Sequence, residues 1–274
     1  MLSNREQLLT AAEPKTKSPS SSQIDFQSDI IPVLTKHGCN AGACHGAAIG
    51  RGGFKLSLYG GDPAADYASI VMQLNGRRIN LSNSESSLLL LKPTEYVAHG
   101  GGTVFDANSD AAAKLKDWID AGAPNASPRE LSRLAVTPTR FIASSSDTST
   151  PIRAVAHYSD GTKRDVTQWT IFKANDKSAV ELTLDTPETS SSSTNSARVL
   201  RPGRHLVVAR FLNQVVPLEF LLPFPGEAAA SNRPEEPVGF IDAEVNETLE
   251  TLNLSSASPA NDAALIRRLY LDLT

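Results

Sequence analysis

The chain has only two cysteines in 274 residues, and both lie in one heptapeptide, Cys39-Asn40-Ala41-Gly42-Ala43-Cys44-His45. Any fold of this chain therefore brings two sulfurs and an imidazole to one place. That grouping is what covalent attachment of a c-type haem needs. Each sulfur adds to one vinyl group of the porphyrin, and the histidine ligates the iron from one face. Four residues separate Cys39 from Cys44, a rarer form than the common two-residue spacing. On this reading Cys39 and Cys44 are the attachment points and His45 is the proximal ligand. Three other readings of the same residues stay open: a small-loop disulfide, half of a zinc site completed by His37 or His45 with no second cysteine pair to help, and two inert thiols.

The flanks predict helices. Phe26, Ile30, Val33, Leu34 and His37 recur at helical spacing, and Pro32 suits a first turn, so a helix is expected to start near Ser28 or Asp29. Asn108 to Ala121 predicts a second helix. Ala111, Leu115, Trp118 and Ile119 share its face, Asp106 or Asn108 is its expected cap, and Gly122 and Pro124 stop it. Gly50-Arg51-Gly52-Gly53 is not followed by Gly-Lys-Ser/Thr, so a phosphate cradle is the weaker reading of that loop. A backbone that closely approaches a porphyrin is the stronger one. Arg51, Lys55, Arg77 and Arg78 are candidates to pair with haem propionates, or else form a solvated face. His37 reads as a helix-end residue, and His157 and His205 as strand residues outside this region.

Several motifs then appear in order: Asp29-Ile30-Ile31-Pro32-Val33-Leu34, Gly38-Cys39 to Cys44-His45-Gly46, Gly52-Gly53-Phe54-Lys55-Leu56-Ser57, Ser87-Leu88-Leu89, His99-Gly100-Gly101-Gly102 and Trp118-Ile119-Asp120-Ala121-Gly122-Ala123-Pro124. Over residues 24–125 the chain resembles the planctomycete-type cytochrome c domain found at the head of large multidomain proteins. The resemblance implies an all-α cytochrome c-like domain carrying haem c and iron. Many members of that family carry Met-Pro-Pro shortly before the closing helix, where this chain has His99-Gly100-Gly101-Gly102. Met72 lies too early for that slot. His99 is therefore the expected sixth ligand, which lowers the potential relative to methionine ligation. A five-coordinate site in which His99 only starts a glycine turn is the competing expectation.

Past residues 126–130, which read as a linker, strands take over. Arg153 to Tyr158 alternates, Ser159-Asp160-Gly161-Thr162 supplies a turn, and Val166, Trp169, Ile171 and Phe172 predict the next strand. Leu206 to Phe211 and Val215 to Leu222 predict two late strands about Asn213-Gln214, and residues 185–196 a Ser/Thr-rich loop. Tyr158 to Thr162, Asp165-Val166-Thr167 before Trp169, and Arg201-Pro202-Gly203-Arg204-His205-Leu206 resemble the bacterial immunoglobulin-like group-two domain over residues 132–224. That implies an all-β sandwich acting as spacer or binding module.

A Pro-rich linker, 225–237, precedes a helical segment, 238–274. It has stripes at Phe240, Ile241, Val245, Leu249 and Leu252, and at Leu265, Ile266, Leu269 and Tyr270. Asp262 with Arg267 to Thr274 resembles the opening of an uncharacterised helical domain that follows such cytochrome modules, so the segment is expected to be truncated.

The expected organisation is multidomain, with a cytochrome, a sandwich and a broken-off helical domain. The expected function is electron transfer, since nothing here reads as a catalytic site. The alternatives are a surface interaction protein whose first domain is a zinc or disulfide knot, and a haem module serving an enzyme in a missing part. Near-balanced charge, a formal −4, gives nucleic acid no handle, and no apolar run reaches the length of a membrane span. Haem attachment happens outside the cytoplasm in bacteria, so export to the periplasm or cell surface is expected. The redox partner stays unidentified, and the sandwich is the expected contact for an extracellular or periplasmic protein. Residues 1–23 lack an apolar signal core and read as a disordered leader or signal remnant, which implies a true start upstream.

Overall fold

A computed structural model describes residues 24–125, 129–184, 195–226, 239–257 and 260–273. It combines helices with several mainly antiparallel sheets, in separate stretches of chain. The leader 1–23 and most of the linker 225–237 lie outside the described residues.

Residues 24–125 hold helices joined by turns. A π-type turn, Phe26–Ile30, runs directly into α1 (Ile31–Lys36). The Asp25 carboxylate caps this unit by accepting the Ser28 N–H at 2.7 Å, so helix starts earlier than the expected Ser28 or Asp29. Phe26, Ile30, Val33 and Leu34 are buried, as their spacing predicts. His37 ends the helix, with its ring edge-on to Phe105. Next come α2 (Pro63–Tyr67), α3 (Gln73–Gly76, with Leu74 and Asn75 at positive φ) and α4 (Leu88–Leu91).

The closing helix is α5 (Asp110–Asp120). Its cap is Ser109, whose side chain accepts the Ala112 N–H, and not Asp106 or Asn108. Asp106 instead shapes the preceding turn by accepting the Asn108 N–H at 2.7 Å. Ala111, Leu115, Trp118 and Ile119 are fully buried. The Trp118 ring packs 5.3 Å from Phe26, and its N–H donates to the Pro124 carbonyl at 3.0 Å. This ties the two ends of the helical region together.

The β region contains β1 (Leu131–Thr137), β2 (Arg140–Ile142), β3 (Ser149–Pro151), β4 (Arg153–Tyr158), β5 (Lys163–Asp165), β6 (Ile171–Ala174), β7 (Val180–Thr183), β8 (Ser196–Val199), β9 (Gly203–Phe211) and β10 (Gln214–Leu222). They form sheets of order β1-β4-β5, β2-β10-β9-β6 and β3-β8-β7, antiparallel throughout except that β2 runs parallel to β10. Alternation buries Ala154, Ala156 and Tyr158 on β4, and Val207, Ala209 and Phe211 on β9. The strand expected through Val166 to Phe172 is interrupted. Asp165 accepts from both the backbone N–H and the hydroxyl of Thr167, folding Thr167–Trp169 into a turn before β6. The Ser/Thr-rich loop is shorter than expected at its far end, because Ser196 already belongs to β8; residues 185–194 lie outside the described residues.

The two regions meet at charged groups. Arg164 of β5 donates to the buried Asp29 carboxylate at 2.6 Å, with Lys114 at 3.5 Å and Arg129 at 4.0 Å. Lys36 donates to the Thr170 carbonyl at 2.9 Å, and Gln168 to Asp110 at 2.8 Å.

Beyond the sheets lie α6 (Phe240–Thr251) and α7 (Asp262–Leu273). The predicted α6 stripe is split. Phe240, Ile241 and Val245 are exposed, but Leu252 is buried and its carbonyl accepts the Phe224 N–H at 3.0 Å. Glu247 pairs with Arg140 at 2.6 Å, so the end of α6 rests on the β region. The large apolar residues of α7, Leu265, Ile266, Leu269, Tyr270, Leu271 and Leu273, are exposed. Among the described residues no helix is long and apolar enough to cross a membrane.

Candidate functional site

Helix α1 delivers the attachment loop. Gly38, at φ +72, turns the chain where a side chain would be strained. The Cys39 N–H then bonds back to Leu34, and the His45 N–H closes on the Cys39 carbonyl, both at 2.9 Å. Asn40, fully buried, donates from its amide to the Thr35 hydroxyl at 2.8 Å. A Cβ at Gly46 would lie 2.1 Å from the Asn40 carbonyl oxygen, so the loop can close only with glycine there. The result is a tight loop that puts Cys39, Cys44 and His45 on one cavity wall.

That cavity measures about 750 Å³. Leu34, Phe54, Leu89 and Val104 supply apolar wall, and His99 stands on it with the attachment loop. The rings of His45 and His99 have centres 6.2 Å apart and planes inclined by 21°. His45 Nδ1 lies 2.9 Å from the Phe54 carbonyl and 3.1 Å from that of Arg51. His99 Nδ1 lies 2.9 Å from the Gly102 carbonyl. A carbonyl only accepts, so each ring carries its proton on Nδ1 and keeps the Nε2 lone pair for another partner.

The glycine-rich loop lines the same cavity through Arg51 and Gly52. Gly52 and Gly53 both have positive φ, and the turn they allow aims the Arg51 and Phe54 carbonyls at His45. On the other side, a Cβ at Gly101 would come 3.0 Å from the His99 ring, so glycine leaves that imidazole its place.

Burial favours the neutral forms of His45 and Cys39. Burial lowers the His45 pKa, opposed by its two carbonyl hydrogen bonds and reinforced by the charges of His99 and Arg78. Burial, with Cys44 nearby, pushes the Cys39 thiol up to about 12. Both cysteines are free thiols, and among the described residues no three His, Cys, Asp or Glu side chains gather as a metal-binding group.

The predicted residues Cys39, Cys44, His45 and His99 therefore share one cavity. Met72 is 66% exposed and does not line it. Of the four basic candidates, Arg51, Arg77 and Arg78 line the cavity and Lys55 does not. Arg78 is buried, which a solvated face does not describe. His157 and His205 sit on β4 and β9. Sequence reasoning did not single out Phe54 or Lys92. Lys92 lines the cavity and donates to the Ala98 carbonyl at 2.7 Å; a Gly-Gly-Phe step beside a candidate ligand was the available signal for Phe54.

No family model matches the chain, and no curated protein matches it. Among solved structures it is similar to surface layer protein SbsC, domains 1–6, at 13% identity over 37% of this chain and 14% of that one, with a TM-score of 0.30. It is likewise similar to domains 5–6 of the S-layer protein SbsC, at 12% identity over 39% of this chain and 57% of that one, again at 0.30. The chain spans less than two thirds of either structure, and a likeness of that degree carries no argument about the site.

Proposed function

We propose that residues 24–125 are a c-type cytochrome domain and that the chain transfers electrons. Cys39 and Cys44 would tether haem c by thioether bonds, and His45 and His99 would hold its iron. The carrying observation is that the His45 and His99 rings lie 6.2 Å apart on one cavity with the two cysteines. A first-row metal–imidazole bond is about 2.0–2.1 Å long and a ring nitrogen lies about 1.1 Å from its ring centre, so two imidazoles sharing one metal would have centres at most roughly 6.2–6.4 Å apart. The 6.2 Å between His45 and His99 suits such a pair. Both Nδ1 protons are already committed to carbonyls, the usual second contact of a ligating histidine. The cavity volume is within the roughly 300–1,000 Å³ of small-molecule and cofactor sites.

Bound there, haem supplies one-electron redox chemistry at iron. The chain does the rest. Cys39 and Cys44 would hold the porphyrin through their sulfurs. The Phe54, Arg51 and Gly102 carbonyls fix the orientation of both rings. Leu34, Leu89 and Val104 would exclude water, and Arg51 would offer charge to the propionates. The β region fits the immunoglobulin-like reading through its strand-rich composition, as a module for a protein partner. The same chemistry implies export to the periplasm or cell surface, where thioether attachment takes place.

His99→Ala tests the ligand assignment. Haem should stay attached, the ferric spectrum should convert fully from low to high spin, and the reduced protein should gain a carbon monoxide adduct. An unchanged low-spin spectrum contradicts the assignment of His99.

A further inference from the structure

We infer that Arg78 is a positioning residue for His45 and holds a positive charge against the iron site, raising its reduction potential. The inference rests on the cytochrome reading above. Arg77 and Arg78 are adjacent and both line the cavity, but only the second is buried, at 8% exposed. Its backbone carbonyl accepts the Leu89 N–H at 3.0 Å. Nη1 donates to the Ser69 carbonyl at 2.7 Å and Nη2 to the Gly53 carbonyl at 3.4 Å. The guanidinium lies 4.4 Å from the centre of the Phe54 ring. The Phe54 ring in turn packs 4.6 Å from that of His45, and the Phe54 carbonyl receives the His45 Nδ1 proton.

Arg78 therefore grips both handles that hold His45, by stacking on Phe54 and by tying down the adjoining Gly53. The recorded partners of its guanidinium are backbone carbonyls, not a carboxylate. A buried cation with that environment is expensive, and an apolar side chain would pack the same wall at less expense. Its positive field falls on the cavity it lines, in low dielectric, where it favours the reduced and less positive iron. Bis-histidine ligation lowers the potential, and Arg78 opposes that effect.

The test uses the full chain with four sequences: wild type, Arg78→Gln, Arg78→Lys and Arg77→Gln. In potentiometric titration of the haem-loaded protein, Arg78→Gln should shift the midpoint to lower potential. The shift should exceed that of Arg77→Gln, whose charge is exposed and screened. Arg78→Lys keeps the charge and should stay closer to wild type. In haem-free full chain, hydrogen exchange at His45 Nδ1 should quicken about ten-fold in both Arg78 variants, from loss of the loop contacts. Exchange at His99 Nδ1, held by Gly102, should stay unchanged and report that the fold persists. Equal shifts for Arg78→Gln and Arg77→Gln, with unchanged exchange at His45, overturn the inference. A wild type that takes up no haem overturns the cytochrome reading instead, together with the effect on potential, whatever the exchange data show.

Discussion

Replacing Cys39 and Cys44 together by alanine is expected to abolish covalent haem while leaving the helical region folded. After denaturing electrophoresis the wild-type band should keep its haem stain and the double variant should have none. Each single variant should fall between, holding haem by one bond. The fold should survive because backbone hydrogen bonds build the attachment loop: Cys39 to Leu34, His45 to Cys39 and Gly46 to Ala41. The thiols contribute packing, and Cys39 is only partly buried against the core, so the expected loss is about 1 kcal/mol per site. The competing readings predict other outcomes. A disulfide knot would melt earlier after reduction, and a zinc knot would unfold with chelator. Retained stain in the double variant would contradict thioether attachment at these sulfurs.

The second large effect is expected at Asp29. Its side chain is 5% exposed, and Arg164, Lys114 and Arg129 surround it, the first at 2.6 Å. It also accepts the Asp25 N–H at 3.0 Å. Asp29→Ala leaves these cations facing one another across the seam between the helical and β regions. Removing one partner of a buried charge cluster is expected to cost about 3 kcal/mol. Asp29→Asn, which can keep a hydrogen bond, should lose less. Burial alone would raise the Asp29 pKa, but the Arg164 hydrogen bond, the Asp25 N–H and the charges of Arg164 and Lys114 outweigh it, and the net shift is below 3.8. With the folded pKa depressed, this stabilisation is fully present above the unfolded pKa, about 3.9. It is lost as pH falls through the folded value. Thermal melts of wild type and Asp29→Ala should therefore be well separated at pH 7 and converge below pH 4. Coincident melts at pH 7 would contradict a stabilising role for the cluster.

Periodic features were legible in the sequence. The stripe of α5, the alternation of β4 and the late strands β9 and β10 all follow from spacing that needs no partner to be recognised. The cysteine–histidine grouping was legible for the same reason, as neighbours in sequence became neighbours in space. Features decided by a single side-chain hydrogen bond were not. Asp25 and Ser109 cap helices where several polar residues competed for the task, and Asp165 bends the chain where apolar residues promised a continuous strand. Long-range choices were also hidden. Nothing in Arg77-Arg78 says which of the two is buried, and nothing near Asp29 says that Arg164, far along the chain, will reach it. His99 stood out by resemblance, but its 6.2 Å approach to His45 required the folded chain.

The most direct test of the central claim is the absorption spectrum of the full chain, made in a bacterium with export and haem-attachment machinery. A red protein is expected, with a strong Soret band, a low-spin six-coordinate ferric spectrum and no methionine–iron charge-transfer band, retaining its haem after denaturation. A colourless protein from that host would contradict it.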